Sequence, residues 1–259
     1  MDSIKPKTMD GPGGMPPVVI LARMSSRRLP GKALRELGAR TVLESVVDGA
    51  CQALLPSAVF VLTSSERSDD PIADWGNSHG VSVMRGALDN VGERVLRCAE
   101  QIAAPAVVRI SGDSPFIDPR LIDRAVDTWM SESVDLVTNI FPRGFPKGQS
   151  VEVISTAALG KLMAGDSLSQ ADLEHVTPGF YRTSAAWAIT NVGPSPSEIA
   201  EFHPVDLTSV QLSVDTKQDL DRARMLAGPL LGQVGMRPSW LNVTRAYVDR
   251  FVVNGAVRE

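Results

Sequence analysis

Strand-like and helix-like segments alternate through the first 130 residues, and no other feature of the chain constrains the fold as tightly. The series opens on Val18, Val19, Ile20 and Leu21, a continuous apolar run rich in β-branched residues, the pattern of a strand buried on both faces. Runs of the same kind recur at 58–62, 81–84 and 107–110. Helix signals fill the gaps. Thr41 and Glu44 have capping-box spacing and open a helix through about residue 54, with Val42, Val46, Val47 and Ala50 toward the core. Asp70-Pro71 and Asp118-Pro119 each read as an N-cap followed by a first-turn proline, and a further helix spans 91–103. The expectation is an α/β fold with a mixed, mostly parallel central sheet and helices on both faces.

The second half alternates less regularly. Strands are expected at 134–137, 151–154, 187–191 and 211–214, and helices at 156–163 and 171–183. Asp219 completes a capping spacing from Thr216 for another helix, and a last helix over 240–252 is expected to dock on the sheet. Between them, 139–150 carries two prolines and two glycines and reads as a long loop, of the kind that often carries function.

The first strand runs into a loop with Arg23, Arg27, Arg28 and Lys32. Clustered cations repel unless they are solvated or face anions. An ion pair at ~4 Å is worth about 1 kcal/mol in water and about 4 at an effective dielectric of 20, so a semi-enclosed triphosphate would use the cluster well. A solvated basic turn fits the same residue types. Two nucleotide motifs fail here: Ser26 stands where a Walker loop needs its first glycine and Ala33 follows Lys32, while Gly11, Gly13 and Gly14 precede the strand that a dinucleotide fingerprint must follow.

At 259 residues the chain is long enough for one large core without staples, and one domain over 18–259 is the economical reading. A formal net charge of −4 argues against nonspecific nucleic-acid binding and makes the basic loop a local device. Cys51 and Cys98 match neither a zinc spacing nor a disulfide framework, which suits a reducing cytoplasm. No apolar stretch approaches the roughly 18 residues of a membrane span, so no membrane insertion is expected. Residues 1–17 lack the apolar core of a secretory signal and read as a flexible leader. Ligands of parallel α/β sheets bind beyond the carboxyl ends of the strands, and the polar clusters at 23–32, 63–70, 111–115 and 215 all fall there, so one cleft could collect them.

The stretch Arg23-Met24-Ser25-Ser26-Arg27-Arg28-Leu29-Pro30-Gly31-Lys32 resembles the SpsF-like cytidylyltransferases of surface polysaccharide synthesis, relatives of the 3-deoxy-manno-octulosonate cytidylyltransferases. The likeness continues through Arg85-Gly86, Asp89-Asn90-Val91, the run from Val108 to Pro119, Val151-Glu152-Val153, Glu174-His175-Val176-Thr177-Pro178 and Val214-Asp215-Thr216, and covers roughly 18–228. It implies a GT-A-like nucleotidyltransferase fold and an enzyme that joins CMP from CTP to a small-molecule acceptor with release of pyrophosphate. The acceptor would be a sugar, a sugar acid or a phosphorylated or phosphonate compound. Arg23, Lys32 and Asp113 would carry catalysis. Ala22, Arg23, Ser25, Ser26, Arg28, Lys32, Thr63, Arg85, Asp89, Asn90, Ser111 and Gly112 would bind the nucleotide. Asp113 and Asp215 would hold Mg²⁺, while Gln149, Glu152 and His175 would meet the acceptor.

Each assignment has a structural counterpart. Asp113 suits a turn beside Pro115, Asp215 an N-cap, Glu152 a paired strand carboxylate and His175 a helix terminus. The chain departs from the resemblance at Gly148-Gln149-Ser150, where relatives commonly read Gly-Leu-Asp, and at Ser25 and Arg27, where Gly and Thr are frequent. The region 139–183 is expected to form an acceptor or dimerisation lobe, the natural face of a homodimer, although the sequence does not demand one. A GT-A-type glycosyltransferase using a nucleotide sugar and a noncatalytic nucleotide-binding subunit are the competing readings; the paired Asp-x-Asp usual in the former is missing at Asp113-Ser114-Pro115.

Overall fold

The computed structural model describes residues 14–165, 168–231, 237–253 and 256–257. In chain order the strands are β1 (Val18–Leu21), β2 (Glu36–Leu37), β3 (Arg40–Thr41), β4 (Val59–Ser64), β5 (Ser82–Gly86), β6 (Ala106–Ser111), β7 (Leu136–Thr138), β8 (Glu152–Ser155), β9 (Ile189–Asn191), β10 (Val252–Val253) and β11 (Ala256–Val257). The helices are α1 (Val42–Cys51), α2 (Asp70–His79), α3 (Val91–Gln101), α4 (Pro119–Ser131), α5 (Thr156–Met163), α6 (Gln170–His175), α7 (Pro178–Arg182), α8 (Pro196–Ala200), α9 (Lys217–Leu231) and α10 (Trp240–Phe251).

Seven strands form the main sheet in the order β5-β4-β1-β6-β8-β7-β9. β5, β4, β1 and β6 run parallel, β8 is antiparallel to both β6 and β7, and β9 is parallel to β7. The chain builds outward from β1 through β4 to β5 and then returns to β6 on the other side of β1. The strand order therefore reverses between β1 and β6, and a crevice opens beyond their carboxyl ends.

Alternation along β1 explains its unbroken apolar run. Val18 and Ile20 join the core under α1, α2 and α4, while Val19 joins the core under α3, α5 and α7. A third core lies between α9, α10 and the segments around Leu29, Leu37 and Phe116. Side-chain caps hold the helix starts, those at Thr41 and Asp118 where the spacing puts them. Thr41 and Glu44 form a reciprocal capping box, Asn90 accepts from Glu93 N–H, and Asp118 accepts from Arg120 N–H.

Several expectations are corrected. α1 ends at Cys51 rather than near 54. The N-cap of α2 is Asp69, with Asp70 its first residue, and the Asp69 side chain makes no capping bond because it is engaged elsewhere. The helix expected over 171–183 is broken in two at Val176, whose φ of +71° is strained for a β-branched residue. Thr177 N–H reaches His175 C=O at 2.9 Å across that residue, a tight three-residue turn. Residues 211–214 are not a strand; only Gln211 bridges, to Lys147. α10 packs on α9 within the third core through Val243 and Tyr247, while Trp240, with Leu241 and Val248 beside it, meets the core under α1, α2 and α4. Of the expected leader, 1–13 lie outside the described residues, whereas Pro17 C=O accepts from Val108 N–H at 2.8 Å and Met15 C=O from Ser57 O–H at 2.9 Å, so this end is docked.

Candidate active site

The loop after β1 is shaped by its own backbone. Gly31 adopts φ +71°, donates its N–H to Met24 C=O at 2.9 Å, and starts the short 3₁₀ turn Lys32–Leu34 that directs Lys32 inward. Met24 N–H in turn donates to Asp69 Oδ1 at 2.7 Å. Asp69 is fully buried, and its second oxygen accepts from Ser64 N–H at 3.2 Å and from the Ser64 hydroxyl. The carboxylate thus ties the basic loop to the end of β4. On the other side, Gly112 N–H donates to Leu21 C=O at 2.8 Å. A Cβ at Gly112 would lie 2.8 Å from that carbonyl oxygen and 2.9 Å from Ala22 Cβ, so only glycine lets β6 close on β1.

Asp113 follows directly. Its C=O accepts from Val214 N–H at 2.8 Å, which brings Asp215 alongside. Between the two carboxylates sits Lys32 Nζ, 2.6 Å from Asp113 Oδ2 and 3.0 Å from Asp215 Oδ1. Arg28 Nη2 reaches the same Asp215 oxygen at 3.1 Å. Burial alone would lower the Lys32 pKa, but the charge and hydrogen bond of Asp113, joined by those of Asp215, outweigh it and hold the ammonium above its ordinary value. From α6, Glu174 Oε1 accepts from Arg23 Nη2 at 2.7 Å, and that bond, with the cations around it, holds the Glu174 carboxyl below its usual range.

These groups line one cleft of about 440 Å³. Its charged lining comprises Arg23, Arg27, Arg28, Lys32, Arg94 and Arg109 against Asp113, Glu174 and Asp215, six cations facing three carboxylates. A cleft with three excess positive charges in a chain of net charge −4 is suited to a polyanion. Asp113 and Asp215, both bonded to one ammonium, are hard oxygen donors converging on one point. They fit Mg²⁺, which takes one or two carboxylates and fills its remaining positions with water and phosphate oxygens. Among the described residues there is no cluster of three or more His, Cys, Asp or Glu side chains that would cage a metal by itself.

Comparison with known proteins decides the family: the cytidylyltransferase family model matches residues 18–228. The chain belongs to the cytidylyltransferases. SpsF, a spore coat polysaccharide biosynthesis protein of Bacillus subtilis, is 27% identical over 218 residues, covering 80% of this chain and 84% of SpsF. A cytidylyltransferase structure from Leptospira borgpetersenii has a TM-score of 0.81 at 24% identity and covers 91% of this chain and 94% of its own. CMP:2-keto-3-deoxy-manno-octonic acid synthetase, solved in complex with CTP, has a TM-score of 0.63 at 16% identity and covers 83% of this chain and 99% of its own. The mixed, mostly parallel sheet with helices on both faces is the fold these structures share.

Within this cytidylyltransferase, the cleft collects Ala22, Arg23, Ser26, Arg28, Lys32, Ser111, Gly112, Asp113, His175 and Asp215 of the residues expected there. Others stand apart from its lining. Ser25 is exposed on the loop. Thr63 is fully buried and its hydroxyl has no partner among the described residues; it shares the face of Val59 and Val61, opposite to the one on which Arg109 and Ser111 lie. Arg85 is committed to Ser64 C=O, Glu66 C=O and Asp70, with distances of 2.8, 2.8 and 2.7 Å. Asn90 caps α3 and Asp89 is exposed beside it. Gln149 is fully buried, donating to Phe116 C=O at 2.7 Å and accepting from Asp118 N–H at 3.0 Å, so its amide stitches two loops and is withdrawn from any acceptor. Glu152 is fully buried behind Arg109 rather than in the cleft wall. Sequence reasoning left out Arg94, Arg109 and Glu174 as site residues. A lone cation inside the apolar run of β6 was a signal for Arg109, and Glu174 lay in a stretch that carries the resemblance; Arg94 had none, because only packing turns its helix face toward the cleft.

Proposed function

We propose that this chain transfers the cytidylyl group of CTP to a small-molecule acceptor, in a reaction assisted by Mg²⁺. The observation that carries the reading is the Lys32 ammonium bridging Asp113 and Asp215 at the mouth between β1 and β6. Arg23, Arg28 and Lys32 bind the triphosphate, with Ser26 and the backbone at Ala22, Ser111 and Gly112 beside it. An acceptor oxygen attacks the α-phosphorus, the bond to the bridging oxygen breaks, pyrophosphate leaves, and the acceptor proton passes to solvent or to His175 in the cleft wall. Charge grows on the nonbridging and leaving oxygens, so fixed cations and alignment supply the catalysis and no covalent nucleophile is needed. A divalent ion held by Asp113 and Asp215 supplies further neutralisation of the phosphate oxygens when bound. To meet the triphosphate, Lys32 exchanges carboxylate partners for phosphate oxygens.

The CTP complex of a structural neighbour supports the choice of nucleotide. The region 139–183, in which Phe141 is 41% exposed, is the proposed face of a homodimer, and a cytoplasmic location fits a biosynthetic enzyme. Among the described residues no helix is long and apolar enough to cross a membrane. The test is pyrophosphate release from each of the four nucleoside triphosphates against pools of neutral sugars, acidic sugars, sugar phosphates and phosphonates. CTP with one pool is expected to turn over, and Asp113→Ala is expected to abolish release while far-UV and near-UV dichroism stay native. Full activity in Asp113→Ala, or release from every triphosphate but CTP, refutes the reading.

A further inference from the structure

One wall of the cleft is built for something other than the triphosphate loop. Arg109 lies inside β6, on the same face as Val107 and Ser111, and is directly opposite Glu152 of β8 in the ladder. The Glu152 carboxylate is fully buried, while the Arg109 side chain is 16% exposed and lines the cleft. Arg109 Nη1 donates to Glu152 Oε2, and the Tyr181 hydroxyl donates to Oε1. Tyr181 is itself oriented: Thr138 Oγ1 accepts from Ile140 N–H at 3.2 Å and donates its proton to Tyr181 at 2.8 Å. Donors therefore converge on the Glu152 carboxylate, from β7 through Tyr181 of α7 on one side and from the Arg109 guanidinium on the other.

A buried carboxylate costs several kcal/mol in lost hydration, and a purely structural ion pair would be expected to satisfy its donors. Arg109 is not fully satisfied; its Nε is buried without a partner among the described residues. Nor is the charge balanced. Arg143, half-buried, donates to Ser150 Oγ at 3.2 Å and makes no ion pair among the described residues. Burial lowers its pKa, against the opposing influence of Glu152 and Tyr181, so the Arg143 guanidinium lies within electrostatic reach of the carboxylate that Arg109 already neutralises. A planar fork that lines a cleft of positive excess and is locked in orientation from behind is suited to carboxylate or phosphate oxygens rather than to a neutral hydroxyl.

We infer that Arg109, held by Glu152 and Tyr181 as positioning residues, binds an anionic group, a carboxylate or a phosphate, on the acceptor. The inference rests on the cytidylyl-transfer reading of the same cleft. Its test is calorimetric titration of the protein saturated with Mg²⁺ and a nonhydrolysable CTP analogue, using glucose, glucuronate and glucose 6-phosphate as matched probes. One anionic probe is expected to bind at least tenfold tighter than glucose, and which one it is separates the carboxylate from the phosphate. Arg109→Gln alone strands the Glu152 carboxylate, so the paired variant Arg109→Gln/Glu152→Gln is used beside Arg109→Lys. Both are expected to reduce the anion preference by at least tenfold more than they reduce analogue affinity, and Tyr181→Phe to reduce it partially. Equal binding of all three probes, no binding of either anion, or an intact preference in the paired variant overturns the inference. Failure of the analogue to bind refutes the nucleotide reading instead, and the same titrations on the unloaded protein then decide the role of Arg109.

Discussion

Replacing Asp69 with alanine tests whether the phosphate loop is held in shape before it meets a ligand. The carboxylate is fully buried and accepts three hydrogen bonds, from Met24 N–H at 2.7 Å, from Ser64 N–H at 3.2 Å and from the Ser64 hydroxyl. Alanine leaves all three donors without their acceptor. A buried orphan donor costs about 1–3 kcal/mol, but Met24 is half-buried and its N–H can recover water, so the sum is about 3 kcal/mol rather than the full additive value. That is a large share of a domain stability of about 5–15 kcal/mol. Asparagine retains one oxygen and is expected to lose about half as much. Urea unfolding measures the cost as a shift in midpoint at constant slope. Titration with Mg²⁺ and CTP measures the consequence: with Met24 released, the turn that aims Lys32 is no longer pinned, and affinity is expected to fall at least tenfold in the fraction that remains folded. A loss of stability below about 1 kcal/mol, or unchanged CTP affinity in Asp69→Ala, refutes the reasoning.

Two further predictions concern elements that frame the cleft. Gly112→Ala places a methyl 2.8 Å from the Leu21 carbonyl oxygen, a backbone atom that cannot swing aside, so the β1–β6 junction must open. The expected loss is about 1–3 kcal/mol in chemical unfolding, together with weaker CTP binding; near-neutral stability would show that the junction is slack. At the start of α6, the hydrogen bond from Arg182 and those from Ser169 hold the Asp172 pKa down, at about 2. Because the folded value lies below the unfolded one, the stabilisation is complete above about pH 4 and is lost as pH falls toward 2. Asp172→Asn is therefore expected to be less stable than the parent at pH 6 and to converge with it near pH 2, and a difference independent of pH would contradict this.

Where short-range signals sufficed, the sequence could be read correctly. The four parallel strands, the capping box at Thr41 and Glu44, the cap at Asp118 and the gathering of Lys32, Asp113 and Asp215 all follow from patterns within a few residues or from the resemblance they carry. Where a residue's partner lies far along the chain, the reading failed. Gln149 carried the altered segment and was expected to meet the acceptor, yet its amide closes on backbone more than thirty residues away. The 171–183 helix was continuous in its periodicity and is broken by the positive φ of Val176.

By itself, the sequence determined the alternation of strands and helices, and hence a doubly covered, mostly parallel sheet, because buried-strand and capping patterns act locally. It also determined that a basic loop ends the first strand. Only the tertiary structure decided which carboxylates meet that loop, that Asp69 anchors it, and that Arg109 is presented to the cleft with Glu152 behind it. The physical reason is that burial and ion pairing depend on what the fold brings opposite a residue: Arg109 and Glu152, 43 positions apart in the chain, face each other across two antiparallel strands.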